Sequence, residues 1–341
     1  MEEKGKKGRM DYTLLLIVVL LVVIGLVILY STSAYNGQVK FHDSFYYLKK
    51  QAFATVLGIV LMLFVAGMDY HIWQRLAVFG YLAAVALSVA VMLFGREING
   101  SKRWLALGPF SFQPSEFAKV ALILFLADLV TKNVKTIGKM WTLCRIMFWI
   151  LPIVGLVGAS NLSTAIIILG IGVILIFVAS PKYAQFALMG IAGACFMGIF
   201  LALESYRLER LAIWRNPEKY EKGYQTLQGL YAIGSGGVFG VGIGNSVQKL
   251  GFVPEAQNDM IFSIICEELG LAGAGIIVFL FLLLIWRFFL IASGSRDLFG
   301  ALIATGAMAH MMIQVILNIA VVTNTIPNTG ITLPFISYGG T

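Results

Sequence analysis

The residues that invite chemistry gather in QKLGFVPEAQNDMIFSIICEELG, residues 248–270, where a polar loop bearing Glu255 and Asp259 runs straight into a hydrophobic stretch. Asp259 stands at the junction, and Glu267 and Glu268 follow about two turns further in. A carboxylate at the mouth of an apolar helix is costly to keep and calls for a chemical reason. A second group lies in NGSKRWLALGPFSFQPSEFAK, residues 99–119, where Glu116 and Lys119 stand three apart on one helical face and can pair in low dielectric. Taken alone, that pair reads first as a bridge holding two spans together. Lys102, Arg103 and Trp104 just before it have the make-up of an interfacial belt. Arg207 and Arg210 open a long loop, three apart, with Trp214 and Arg215 behind them. Guanidinium groups so placed suit a diphosphate, which they grip bidentately, and equally suit lipid headgroups.

These side chains need elements to carry them, and the composition leaves one kind. Of 341 residues, 59% are hydrophobic and only 12% charged, more apolar than a soluble domain tolerates. The spans are too long and too uniformly apolar for a barrel, so the expected fold class is an all-α polytopic membrane protein. Nine spans are predicted, at about 12–30, 52–67, 76–94, 115–131, 143–159, 162–179, 185–203, 261–289 and 299–322. Lys4, Lys6, Lys7 and Arg9 directly before the first span place the N-terminus in the cytoplasm. The outer side then receives the loops at 31–51, 95–114 and 204–260 together with the tail. Small residues at 31–34 faintly suggest a signal-peptidase site, but the run is long and many spans follow, so it reads as a retained anchor.

The remaining signals exclude more than they assign. The three cysteines, Cys144, Cys195 and Cys266, fall in apolar runs with no metal or disulfide spacing. The net charge of +8 sits in short loops between spans, which excludes nucleic acid as a partner and favours headgroups or an anionic lipid ligand. The loop 204–260 is far longer than a connection requires. Its glycines at 234, 236, 237, 240, 242 and 244 lack the strand–loop–helix frame of a nucleotide loop and instead fit a re-entrant or ligand-hugging backbone. Asn161, Ser163 and Thr164, in the turn before the sixth span, read as helix-end residues that also have the polarity to line a cavity.

Four ordered blocks carry a family resemblance: DYTLLLIVVLLVVIGLVILYSTSA, residues 99–119 as quoted, GYQTLQGLYAIGSGGVFGVGIGNSVQKLGFVPEAQNDMIFSIICEELG, and IPNTGITLPFISYGG. The chain resembles the SEDS proteins (shape, elongation, division and sporulation; FtsW, RodA and SpoVE), most nearly the cell-division FtsW branch. The resemblance implies ten transmembrane helices in the bacterial inner membrane, the last of them beyond Thr341. It implies a glycosyltransferase that polymerises lipid II into glycan strands through an inverting β-1,4 linkage on the outer face, for septal wall synthesis. Asp259 matches the essential aspartate, expected as general base; Glu116 and Lys119 match the family's fourth-span pair, and Arg207 and Arg210 its basic loop start. Substrate or diphosphate contacts are thus expected from Glu116, Lys119, Lys102, Arg103, Arg207, Arg210, Gln248 and Lys249. Supporting roles are expected from Trp104, Gln113, Ser115, Glu255, Glu267 and Glu268. The implied partners are lipid II, the lipid-linked glycan strand, a class B penicillin-binding protein (a transpeptidase) and other divisome proteins. A divalent cation stays open as cofactor, since no ligand spacing implies one. Asn161 stands where the family commonly has an aspartate. Two other readings remain: a lipid II transporter using Glu267, Glu268 and Asp128 as a polar path, and a non-catalytic scaffold that recruits a transpeptidase.

Overall fold

A computed structural model describes residues 10–98, 101–107, 110–187, 189–191, 193 and 211–339. Among them are eight long helices: α1 (Tyr12–Phe41), α2 (Tyr46–Ala66), α3 (His71–Phe94), α4 (Pro114–Asn133), α5 (Met140–Ser160), α6 (Leu162–Ala179), α8 (Ile261–Ser293) and α9 (Leu298–Val322), with a shorter α7 (Tyr224–Ser235) before α8. Seven of the eight are long and apolar enough to cross a membrane. The exception, α4, carries Glu116, Lys119, Asp128 and Lys132 within 20 residues. Most of the span expected at 185–203 lies outside the described residues, as do Arg207 and Arg210.

The helix starts follow local chemistry. Asp11 caps α1 by accepting from Leu14 N at 2.9 Å, Asn161 caps α6 from Thr164 N at 3.2 Å, and Asp297 caps α9 from Gly300 N at 2.8 Å. Pro114 occupies the first turn of α4, where its missing N–H costs nothing. α1 continues as helix to Phe41, well past the membrane exit expected near residue 30. The loop expected at 95–114 contains a small antiparallel meander, β1 (Arg96–Ile98), β2 (Ser101–Leu107) and β3 (Phe110–Phe112). Its signals were present as the Asn99-Gly100 and Gly108-Pro109 turn dipeptides between short alternating runs.

Two apolar cores hold the bundle. One joins α3, α4, α5 and α6 through residues such as Tyr81, Leu122, Ile150 and Ile168. The other joins α1, α7 and α8 through Leu21, Ile28, Ala232, Ile264 and Phe281. α9 belongs to both, giving Leu302 and Ala309 to the first and Val315 and Val322 to the second. The segment after α9 does likewise, with Ile331 in the first core and Leu333 and Ile336 in the second.

Within α8 the helix is broken at Gly270, whose φ of 66° and ψ of −168° are open only to glycine. The break frees backbone groups, and the glycine-rich loop after α7 satisfies them. Val241 and Gly242 donate to the carbonyls of Glu267 and Glu268, each at 2.9 Å, and Leu271 and Ala272 donate to Gly237 and Val238 at 2.9 and 3.0 Å. This backbone exchange is the close approach that the glycine density demanded.

Candidate active site

At the end of the bundle where α4, α6 and α8 begin, a cavity of about 340 Å³ lies on the seam between the two cores. α4 contributes Glu116 and Lys119, with Gln113 just ahead of it; β2 contributes Arg103 and Trp104; the capped start of α6 contributes Asn161 and Thr164. Facing them are Glu255, Asn258 and Asp259 from the turn before α8, Gln225 from α7, Gln314 from α9, and Gly330, Ile331 and Thr332 from the segment after α9. Residues about 200 positions apart therefore meet around one space.

Asp259 is only 8% exposed. Burial pushes its carboxyl up to about 6, and the negative charge of Glu255 adds to that, while hydrogen bonds from backbone N–H groups and Gln225 pull the other way. Gln225 Nε2 lies 3.4 Å from Asp259 Oδ1 and 3.2 Å from the Pro254 carbonyl. Glu255 sits in the left-handed region, with φ 52°, and accepts from Asn258 Nδ2 at 2.6 Å. A carboxylate with a raised proton affinity near neutrality is suited to accept a proton from a hydroxyl.

Across the cavity, Lys119 is 1% exposed and held by Glu116 at 2.8 Å and Gln314 Oε1 at 3.2 Å. Arg103 Nε donates to the Ser160 carbonyl at 3.3 Å, which anchors β2 to the end of α5. A buried Lys119 and a part-buried Arg103 in one wall favour an anionic group in the space before them. Ser115 accepts from Gln113 Nε2 at 3.0 Å and so steadies the turn into α4 without lining the cavity. Lys102 lies in β2, opposite Glu97 in register.

The structure places several other expected residues away from this space. Lys249 does not line the cavity: it is 5% exposed and bonded to Glu268 at 2.6 Å and to Ser31 Oγ of α1 at 3.0 Å. This buried pairing away from the cavity gives Lys249 a structural contact in place of the substrate contact expected of it. Gln248 also lies off the cavity lining; its backbone N–H faces Glu267 Oε1 at 3.5 Å. Glu267 accepts from Ser246 Oγ and from Val247 N at 3.0 Å, binding the glycine-rich loop to α8. Asp128 is paired with Lys132 at 2.6 Å and Gln74 at 3.0 Å at the opposite end of α4. Trp214 donates to the Asn324 carbonyl at 2.9 Å, tying the end of the basic segment to the turn after α9. Among the described residues no group of three or more His, Cys, Asp or Glu is arranged to hold a metal ion.

Sequence reasoning missed Gln225, Gln314 and Asn318. The signal for the last two was available: His310, Gln314 and Asn318 recur every four residues along an otherwise apolar helix, which puts three polar groups on one face.

Fold and site together define a polytopic helical membrane protein with an acid–cation cavity at one end of its bundle. A family model described as "Cell cycle protein", covering FtsW, RodA and SpoVE, matches residues 12–341. The chain is 40% identical to Stage V sporulation protein E of Bacillus subtilis (98% of this chain, 93% of that one). It is 35% identical to a probable peptidoglycan glycosyltransferase FtsW of Trichlorobacter lovleyi (97% and 88%). Its fold matches a chain of a peptidoglycan synthase complex described as coordinating polymerization and crosslinking, with a TM-score of 0.83 at 29% identity over 97% of this chain and 92% of that one. It also matches the rod shape determining protein RodA of Thermus thermophilus, with a TM-score of 0.71 at 28% identity over 97% and 90%. The chain belongs to the FtsW/RodA/SpoVE, or SEDS, family.

Proposed function

We propose that this protein is a peptidoglycan glycosyltransferase that polymerises lipid II, with Asp259 as general base. The observation that carries this is a buried carboxyl, raised to about 6, sharing one cavity with Lys119 and Arg103. The acceptor sugar's 4-hydroxyl oxygen attacks the donor's anomeric carbon while its proton passes to Asp259. The bond from that carbon to the diphosphate oxygen breaks, and the polyprenyl diphosphate departs with the electron pair. One displacement inverts the anomeric centre and forms the β-1,4 linkage. The leaving group is already a stable anion, so no acid has to protonate it, and the paired-carboxylate logic of glycoside hydrolysis does not apply. Lys119 and Arg103 offset the developing diphosphate charge, joined in this reading by Arg207 and Arg210, while Glu116 orients Lys119.

The cavity faces the outer side of the inner membrane in this reading, supported by the basic residues 4–9 that precede α1. A class B penicillin-binding protein is the proposed partner, supported by the structural neighbour being part of a synthase complex. Septal synthesis in division is the proposed setting; the 40% identity to a sporulation protein supports spore-wall synthesis as a second reading. Against the transporter reading, Glu267, Glu268 and Asp128 are each bonded to local partners and none lines the cavity.

The test is glycan polymerisation by the purified protein with its penicillin-binding partner and lipid II. Asp259→Ala is expected to lower the rate on the order of 10³-fold while the complex still assembles. Undiminished polymerisation by that variant refutes Asp259 as base, and lipid translocation without polymerisation would favour the transporter.

A further inference from the structure

The two chemical groups of the site come from different halves of the bundle. Lys119 rises from α4 in one core, and Asp259 sits at the head of α8 in the other. What spans them is α9, through residues four apart. Gln314 Oε1 accepts from Lys119 Nζ at 3.2 Å and lies 2.8 Å from His310 Nε2, while Gln314 Nε2 donates to the Thr332 carbonyl at 3.1 Å. With one end receiving and the other giving, the amide has a single workable orientation. One turn further along, Asn318 Nδ2 donates to the backbone carbonyl of Asp259 at 2.9 Å and to that of Ile331 at 2.7 Å. Ile331 and Thr332 are adjacent in the cavity wall, so the two amides grip the same piece of backbone as well as the two functional residues.

The charge of Lys119 is already met by Glu116 at 2.8 Å. Gln314 therefore adds direction to Lys119 rather than neutralisation. Asn318 never reaches the Asp259 carboxylate; it holds the main chain from which that carboxylate projects.

We propose that α9 sets the separation between cation and base, with Gln314 as a positioning residue for Lys119 and Asn318 as a positioning residue for Asp259. The four-residue step from Gln314 to Asn318, about 6 Å of rise, is then the fixed spacing on which diphosphate binding and proton transfer are both registered. The proposal rests on Lys119 holding the diphosphate and Asp259 taking the proton.

The experiment measures, for the purified full chain, binding of a polyprenyl diphosphate and the kcat of lipid II polymerisation with the penicillin-binding partner. Gln314→Met should weaken diphosphate binding about tenfold, the scale of one hydrogen bond to a charged group, and should lower kcat as well, because Lys119 also offsets charge on the leaving diphosphate. In a Lys119→Met background it should cause no further loss, because it acts through Lys119. Asn318→Leu should lower kcat about tenfold or more while binding stays within about twofold. Gln314→Asn and Asn318→Ser keep an amide or hydroxyl but retract it, and should repeat the two patterns should the apolar variants not fold. Losses that multiply between Gln314→Met and Lys119→Met overturn the proposal alone, as does an equal effect of both α9 variants on binding. Unchanged diphosphate binding by Lys119→Met overturns the reading of that cation, and the proposal with it.

Discussion

At the scale of single residues, Asp259 shows how environment changes the proton affinity of an ordinary side chain. An aspartate in water is fully ionised near neutrality, whereas burial holds this one to about 6. As the proposed base it would work only when ionised, so polymerisation should rise with pH through a midpoint near 6, and a rate profile across that range checks it. Stability moves the opposite way. The folded carboxyl holds its proton more tightly than the unfolded one, so stability is full below the unfolded value of 3.8 and falls as pH rises to about 6. The loss is on the order of 3 kcal/mol. Asp259→Asn should therefore raise the melting temperature at pH 8 while abolishing polymerisation, and thermal melts of both proteins at pH 4 and pH 8 decide it. That carboxylate was legible in the sequence because a charge at a helix mouth is expensive. Its rise in pKa was not, because the groups that enclose it come from α7, α9 and the segment after α9.

At the scale of elements, the instructive case is α8. By composition it is one continuous apolar helix, and nothing in a hydropathy pattern marks the break at Gly270. The reason for the break is a neighbour: an added Cβ at Gly270 would lie 2.4 Å from Gly240 N and 2.5 Å from the Val238 carbonyl. Gly270→Ala must both adopt a left-handed backbone and expel the loop that completes the helix's hydrogen bonds. We expect a loss of about 2–3 kcal/mol of stability, seen as a lowered melting temperature in detergent. The sheet 96–112 teaches the same lesson from the other side. Its turn dipeptides were readable, but only the fold shows that β2 delivers Arg103 and Trp104 to the cavity.

For the whole molecule, buried ion pairs act as fasteners between chain segments that the sequence keeps far apart. Lys249 of the glycine-rich loop, Glu268 of α8 and Ser31 of α1 form one such knot, with Glu268 fully buried. Breaking a buried pair from one side strands the other charge, so Lys249→Met should cost about 3–5 kcal/mol. The double variant Lys249→Met/Glu268→Gln should recover much of that, and both should bind lipid diphosphate normally once folded. Calorimetry and ligand binding on the two variants distinguish this structural role from the substrate contact that the sequence suggested. The close approach of α1 to the segment after α9 works alongside the knot: an added Cβ on Gly25 would lie 2.4 Å from the Phe335 carbonyl, so α1 backs the wall that carries Gly330–Thr332.

The sequence by itself determined the membrane class, the helical architecture, the family and the prominence of Asp259, Glu116 and Lys119, because hydropathy, helical spacing and long ordered motifs are local properties of the chain. Tertiary structure decided which charges face the cavity and which are spent on one another. Lys249 and Lys119 are both lysines near an acidic partner in sequence or space, yet one is locked between α1 and α8 and the other fronts the cavity. It also decided that Gln314 and Asn318, polar residues of an apolar helix, join the two halves of the site. Such assignments depend on contacts between residues one to two hundred positions apart, and the free energy of a buried charge is set by those contacts rather than by its neighbours along the chain.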